Sequence, residues 1–313
     1  MQWLWWCLGA IIVIALFVLL LSFICYRRTF YFKQPKNGKV AVVKGVDFEP
    51  YREQIKKWYD TAKDLPHEDM EIESFDGLKL RGRYFEYKPE APIEIIFHGY
   101  KGNADRDLCG GIERCFALGR SALIVDHRAC GKSEGHVISF GINERKDCKK
   151  WVEYAIERFG KDVRLGITGV SMGAATVIMA AADELPDNVR FVLADCPYSS
   201  PKEIIKRTMA GMHLPPTLLY PFVKLGARIY GDFDLEEASP IEAVKSIRIP
   251  IIFIHGGNDT FVPFNMSRRM YEACPFEKKH LVEIPDVGHG MAYPAAKDAY
   301  IEALRAFEKA YKI

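Results

Sequence analysis

Gly169-Val170-Ser171-Met172-Gly173 puts a serine between two glycines where the apolar run 163–168 gives way to an Ala-rich run at 174–182. Strand, sharp turn and helix is the setting that holds a serine hydroxyl out as a nucleophile. The glycines suit it because such a turn is strained and crowded by neighbouring backbone. A serine also needs a base, and the base needs a partner that orients it. Downstream, the apolar run 249–255 ends in Gly256-Gly257-Asn258-Asp259, and the alternating run 279–284 is followed by a loop that carries His289. Both read as residues on loops behind strands. In that arrangement His289 takes the Ser171 proton as the hydroxyl attacks a carbonyl and returns it to the leaving group, while Asp259 fixes the imidazole tautomer.

The oxygen that becomes negative in such an attack needs two backbone N–H donors. Met172, directly after the serine, is one candidate. Tyr100 is the other, in the loop His98-Gly99-Tyr100-Lys101-Gly102-Asn103 behind the run 93–97. Asp195, which ends the run 191–194, is the rival acid one strand earlier and otherwise a hydrogen-bonding loop residue. His98 and His255 end buried strands beside glycine and read as satisfied by nearby backbone, and His127 reads as a supporting residue. There is no His-Glu-x-x-His and no paired Cys-x-x-Cys, so neither a metal nor an organic cofactor is expected.

With these residues in hand, the chain from about Met70 onward resembles an α/β-hydrolase of the serine aminopeptidase and monoglyceride lipase-like branch. The resemblance is carried by the serine pentapeptide, His98-Gly99-Tyr100, the Asp-x-Arg-x-x-Gly-x-Ser-x-Gly run from Asp126 to Gly135, and Phe140-Gly141 with Glu144, Asp147 and Trp151. Ser239-Pro240 and His255-Gly256-Gly257-Asn258-Asp259 with Val262-Pro263 extend it. Ala129 stands where many relatives have glycine, and the loop after Tyr100 lacks the triple glycine of one lipase branch. The resemblance implies a mostly parallel central sheet with helices on both faces and a small cap insertion. It covers esterases, lysophospholipases, thioesterases and peptidases.

The elements that must position these groups follow from periodicity. Strands expected at 93–98, 121–126, 163–168, 189–195, 249–255 and 280–284 alternate with helices at 106–119, 143–159, 171–184, 264–273 and 294–311, preceded by a hairpin of 71–74 and 78–85 through Asp76-Gly77. Alternation of this kind predicts an α/β fold with ligands at the carboxyl ends of its strands. Residues 50–64 carry Tyr51, Ile55, Trp58, Tyr59 and Ala62 at helical spacing, which predicts a helix packed on the core or on a bilayer. The long stretch 197–248 reads as a cap over Ser171 or as a simple cover of the sheet. In the first case Leu218, Leu219 and Phe222 line an acyl pocket.

The 313 residues are 49% hydrophobic, enough for one sizeable domain plus appendages, and the net charge of +2 gives a nucleic-acid partner no support. The local bias is sharper. Residues 1–26 carry no charged side chain, after which Arg27, Arg28, Lys33, Lys36, Lys39 and Lys44 precede the first carboxylate, Asp47. A helix over 3–24 spans roughly 33 Å, enough to cross the hydrocarbon core, with Trp3, Trp5 and Trp6 at one interface and Tyr26 at the other. A cleaved signal peptide fits less well, since a basic start and a small-x-small site are both missing. The basic flank predicts a single-pass cell-membrane protein with its catalytic domain in the cytoplasm. The 8 cysteines are scattered, with Cys7 and Cys25 in the span, which suits free thiols in a reducing compartment. Cys130 and Cys196 read as structural.

The predicted organisation is an anchor over 1–26, a basic linker with an amphipathic helix over 27–69, and an α/β-hydrolase domain over 70–313. The predicted activity is hydrolysis of a small-molecule or lipid-like carboxylic ester through an acyl-enzyme. An amidase, peptidase or thioesterase with the same triad, and a catalytically silent scaffold, are the alternatives.

Overall fold

The structure is a computed structural model that describes residues 2–33 and 47–313. From the N-terminus, α1 (Gln2–Thr29) and α2 (Arg52–Asp64) precede a hairpin of β1 (Glu68–Glu73) and β2 (Lys79–Phe85). β3 (Ile93–Phe97), α3 (Ala104–Asp107), α4 (Cys109–Ala117), β4 (Ser121–Val125), α5 (Glu144–Phe159), β5 (Leu165–Val170), α6 (Met172–Ala182) and β6 (Val189–Asp195) follow. An excursion of α7 (Pro201–Gly211), α8 (Pro216–Tyr230) and α9 (Pro240–Ala243) leads to β7 (Ile251–Gly256). The chain then forms α10 (Asn265–Ala273), β8 (Lys279–Ile284), α11 (Ala292–Ala295) and α12 (Lys297–Tyr311). The linker segment 34–46, part of the region expected at 27–69, lies outside the described residues.

The eight strands form one sheet in the order β1-β2-β4-β3-β5-β6-β7-β8, with the β1–β2 and β2–β4 pairings antiparallel and the others parallel. β3 and β4 are buried along their whole length, as expected of a sheet covered on both faces. Glu94 is the exception in kind, a carboxylate at zero exposure in the middle of β3. It is paired with Arg114 and Arg120 and accepts the Thr168 hydroxyl at 3.0 Å. Burial opposes its charge, yet the two guanidinium groups hold its pKa down to about 2.

The apolar N-terminal helix is longer than the 3–24 expected from hydropathy because its last turns are held by the domain. Ser22 and Tyr26 are buried while Val18, Leu21, Cys25 and Thr29 are half-buried, a spacing that turns one face inward. That face lies on α8, where a Cβ added at Gly226 would sit 2.4 Å from the Ser22 carbonyl oxygen. Tyr230 donates to the Leu19 carbonyl at 3.1 Å, and Phe30, fully buried, meets the rings of Phe140 and Phe233 edge-on. Residues 2–17 are all exposed. Arg27 and Arg28 in the last turn also suit the negative end of the helix dipole.

Candidate active site

β5 runs directly into Ser171, which has φ 55° and ψ −113° and precedes α6. This is backbone strain of the sort a nucleophile turn stores, and the crowding around it accounts for both flanking glycines. A Cβ at Gly169 would lie 2.1 Å from the Gly173 carbonyl carbon, and one at Gly173 would lie 2.2 Å from the Phe97 oxygen. The Ser171 Oγ is 2.9 Å from His289 Nε2, and His289 Nδ1 is 2.6 Å from Asp259 Oδ2. A carboxylate accepts, so Nδ1 carries the proton and Nε2 faces the hydroxyl as an acceptor.

Asp259 is held from several sides. Its Oδ1 accepts from the backbone N–H groups of Phe261 (3.0 Å) and Val262 (2.8 Å). His255 Nε2 donates to the Val262 carbonyl at 2.8 Å and reaches Asp259 Oδ2 at 3.2 Å, while its Nδ1 accepts from Ser267 at 2.7 Å. Burial would raise the Asp259 pKa, but the hydrogen bonds from His255 and His289 outweigh it and bring the value to about 2. Asp195 is different. Its Oδ2 accepts the Tyr300 hydroxyl at 2.9 Å, no hydrogen bond joins it to His289, and burial pushes its pKa up.

The two expected oxyanion donors lie beside the serine. Met172 opens α6, where a backbone N–H has no intrahelical partner, and Gly99 and Tyr100 share the cavity with Ser171. Neither N–H donates to another group among the described residues. The loop is fixed from behind. His127 N–H donates to His98 Nε2 at 3.1 Å, so His98 Nδ1 donates to the Gly99 carbonyl at 2.7 Å, and His127 Nε2 donates to the His98 carbonyl at 3.0 Å. From the front, the Tyr100 hydroxyl donates to the Thr29 carbonyl at 2.6 Å, tying the loop to the end of α1.

The remaining motif residues are structural. Asp126 accepts from the N–H groups of Ala104 and Lys132, and Arg128 makes two 2.7 Å bonds to Asp147 and two more to Asp76. Cys130 and Cys196 are buried, and burial pushes both thiols well up, so both stay protonated. Cys196, Asp259 and His289 bring possible metal-ligand atoms within 4.8 Å of one another. Both His289 nitrogens are already engaged, by Ser171 and Asp259, so the group does not fit a metal site.

A cavity of about 380 Å³ opens at Ser171 and His289. Its walls are Phe48, Ile55 and Trp58 from the segment around α2, Leu108 and Gly110 at the start of α4, and Tyr293 of α11. The expectation that Leu218, Leu219 and Phe222 line it is corrected: none of them borders it. The buried face of α8, with Tyr220, Val223, Gly226 and Ala227, is spent on α1 and α7, and Leu218 points outward at 65% exposure. The wall comes instead from α2, whose Trp58 packs over Gly110 and lies 5.4 Å from the Tyr293 ring. The apolar spacing of Ile55 and Trp58 was visible in the sequence; the surface it meets was not.

Comparison with known proteins agrees with this fold. The model of the prolyl oligopeptidase family matches residues 139–312 and that of the X-Pro dipeptidyl-peptidase (S15) family matches residues 36–221, each more than half of the chain. The first of these spans Ser171, Asp259 and His289. Bacillus subtilis YqkD is 29% identical over 81% of this chain and 85% of its own length. Saccharomyces cerevisiae YNL320W, described as a membrane protein, is 26% identical over 79% and 81%. The Pyrococcus furiosus esterase Pf2001 superposes with a TM-score of 0.67 at 23% identity, covering 90% of this chain and 98% of its own. With this relative, the exposed apolar stretch of α1 is a candidate membrane anchor. The match over residues 139–312, more than half of the chain, places it in the prolyl oligopeptidase family, as a hydrolase with the α/β-hydrolase fold seen in the esterase structures it resembles.

Proposed function

We propose that the protein is a membrane-anchored serine hydrolase that cleaves carboxylic esters through an acyl-enzyme. The observation that carries this reading is the continuous line Asp259–His289–Ser171, ending at a mostly apolar cavity. Ser171 Oγ attacks the ester carbonyl as His289 Nε2 takes its proton, and the N–H groups of Tyr100 and Met172 receive the negative oxygen. Collapse expels the alcohol, which takes the proton from His289. Water then attacks the acyl-enzyme with His289 as base, releasing the acid and restoring Ser171. Labelling by a fluorophosphonate, lost in Ser171→Ala, tests the nucleophile.

Cleavage of amides by the same triad is the second reading, favoured by the peptidase models that match the chain. Turnover of a matched ester and anilide separates the two. The basic residues behind the span support a cytoplasmic domain, so protease added outside intact cells should leave it uncut. The undocked part of α1, residues 2–17, runs directly into the turns docked on α8. An anchor in this stretch would hold those turns, and the Tyr100 loop tied to the same helix, next to the membrane. This geometry favours substrates that arrive from, or near, the bilayer.

A further inference from the structure

The peptide between Gly99 and Tyr100 carries one of the two oxyanion donors, and its carbonyl end is firmly held. The Gly99 carbonyl accepts from His98 Nδ1 at 2.7 Å and from the Gly102 N–H at 3.2 Å. In a trans peptide the N–H points opposite to the carbonyl, so these bonds set the direction of the Tyr100 N–H. The other end of the peptide, the Tyr100 Cα, sits in a turn that its residues do not favour. The bond from Gly102 to Gly99 closes a four-residue turn with Tyr100 and Lys101 at its centre, and Lys101 has φ 54°, where such a turn prefers glycine or asparagine. A lysine stays there only when its surroundings hold it.

The last turn of α1 supplies that hold. The Tyr100 hydroxyl donates to the Thr29 carbonyl at 2.6 Å, and Lys101 Nζ donates to the Arg28 carbonyl at 3.4 Å. Both acceptors lie where a helix leaves its carbonyls without intrahelical partners and carries the negative end of its dipole, which suits a hydroxyl and an ammonium. The carbonyls are in turn fixed to the domain. Phe30, the next residue, is fully buried against Phe140 and Phe233, its carbonyl accepts the Ile138 N–H at 2.8 Å, and the Phe32 N–H donates to the His136 carbonyl at 2.8 Å. The Tyr100 ring lies 5.0 Å from the same Phe140. Tyr100 is 36% exposed, so its bond competes with water and adds little stability. What the bond fixes is position.

We propose that the Tyr100 hydroxyl is a positioning group for the oxyanion hole: through the Thr29 carbonyl it makes the end of α1 a working part of the active site, so that turnover depends on how α1 is seated. This rests on the ester-hydrolase reading above and adds to it a link between the candidate anchor helix and the chemical step.

Tyr100→Phe keeps the ring and the backbone N–H and removes only the tie. In the full-length protein, kcat and kcat/KM for p-nitrophenyl acetate should fall together by about 3- to 10-fold, the scale of one hydrogen bond felt in the transition state, with KM and Tm unchanged. A trifluoromethyl ketone reads the hole itself. Ser171 Oγ bonds to its carbonyl carbon as His289 takes the hydroxyl proton, and the carbonyl electron pair moves onto oxygen as the oxyanion, so its Ki should rise by the factor that kcat/KM loses. Tyr230→Phe removes a bond of the same kind, to the Leu19 carbonyl about three turns away along α1, and should leave kcat and Ki unchanged. Phe30→Ala unseats the end of α1, and in that background Tyr100→Phe should cost little further activity. Gly226→Ala, whose added Cβ would meet the Ser22 carbonyl and the Tyr26 Cβ, takes its place if Phe30→Ala does not fold.

A loss below about threefold in Tyr100→Phe would overturn the role, as would a Ki that does not follow kcat/KM. An equal loss in Tyr230→Phe, or an undiminished effect of Tyr100→Phe once α1 is unseated, would overturn it as well. Absence of both acetate turnover and fluorophosphonate labelling of Ser171 in the unaltered protein would instead bring down the ester-hydrolase reading, and the role with it.

Discussion

Asp259→Asn separates the proposed triad from every other use of this carboxylate. The side chain accepts from four donors: His289 and His255 at Oδ2, and the backbone N–H groups of Phe261 and Val262 at Oδ1. An amide has one acceptor and one donor end. With its nitrogen at the Oδ2 position it faces His255 Nε2, which must stay a donor because its other partner is the Val262 carbonyl. It also forces His289 to accept at Nδ1, which moves the ring proton to Nε2 and removes the base that Ser171 needs. With the amide flipped, the nitrogen faces two backbone donors. Either orientation sets donors against donors in a buried place, a stability loss of about 2–5 kcal/mol. The tautomer change should lower kcat by about 10⁴, the scale known for this substitution in a serine protease triad. Turnover of p-nitrophenyl acetate, with Tm measured alongside, reads both effects. A folded variant that keeps more than a tenth of the activity would refute the assignment of Asp259 as the orienting acid.

Further outcomes follow from the same geometry. Trp58→Ala should open the wall between α2 and α4 and shift the ranking of p-nitrophenyl esters toward bulkier acyl groups, while Leu218→Ala leaves the ranking unchanged; the reverse pattern would return the acyl wall to α8. The Glu94 pKa falls from the ordinary 4.5 to about 2 in the folded protein. Because the folded value is the lower one, its stabilisation, of order 3 kcal/mol, is present above about pH 4.5 and fades as pH falls toward 2. Glu94→Gln should therefore lower Tm at pH 7 by leaving the buried Arg114 guanidinium without its carboxylate and Arg120 with Glu308 alone, and flatten the acid limb of Tm against pH. Deleting residues 2–17 should spare turnover of a soluble ester yet reduce turnover of one presented in vesicles. Deleting 2–30 removes Tyr26, Phe30 and the Thr29 carbonyl as well, and should lower Tm and both activities.

The site was far more legible than its surroundings. Ser171, Asp259 and His289 stand at strand ends whose position follows from short apolar runs bounded by glycine, so their meeting could be read from order and spacing. The parallel sheet was legible for the same reason, with strand ends off by one or two residues, as where the expected 163–168 became Leu165–Val170. Packing partners were not. The apolar face of α2 and that of α8 have similar periodicity, and periodicity does not reveal which surface a face meets; α2 covers the cavity and α8 holds the anchor. Glu94 was hidden inside a strand because its neutralising partners, Arg114 and Arg120, lie 20 and 26 residues away. The bond from Tyr300 to Asp195 joins α12 to the end of β6 across 105 residues, which no local pattern records.

The central claim is that one serine, activated through His289, does the chemistry. Reaction of the full-length protein with a fluorophosphonate, followed by peptide mapping by mass spectrometry, tests it most directly. A single adduct on Ser171, blocked by prior incubation with a hydrolysable ester and absent from His289→Ala, is the result expected. An adduct at another residue, or labelling of Ser171 that persists undiminished without His289, would contradict the account.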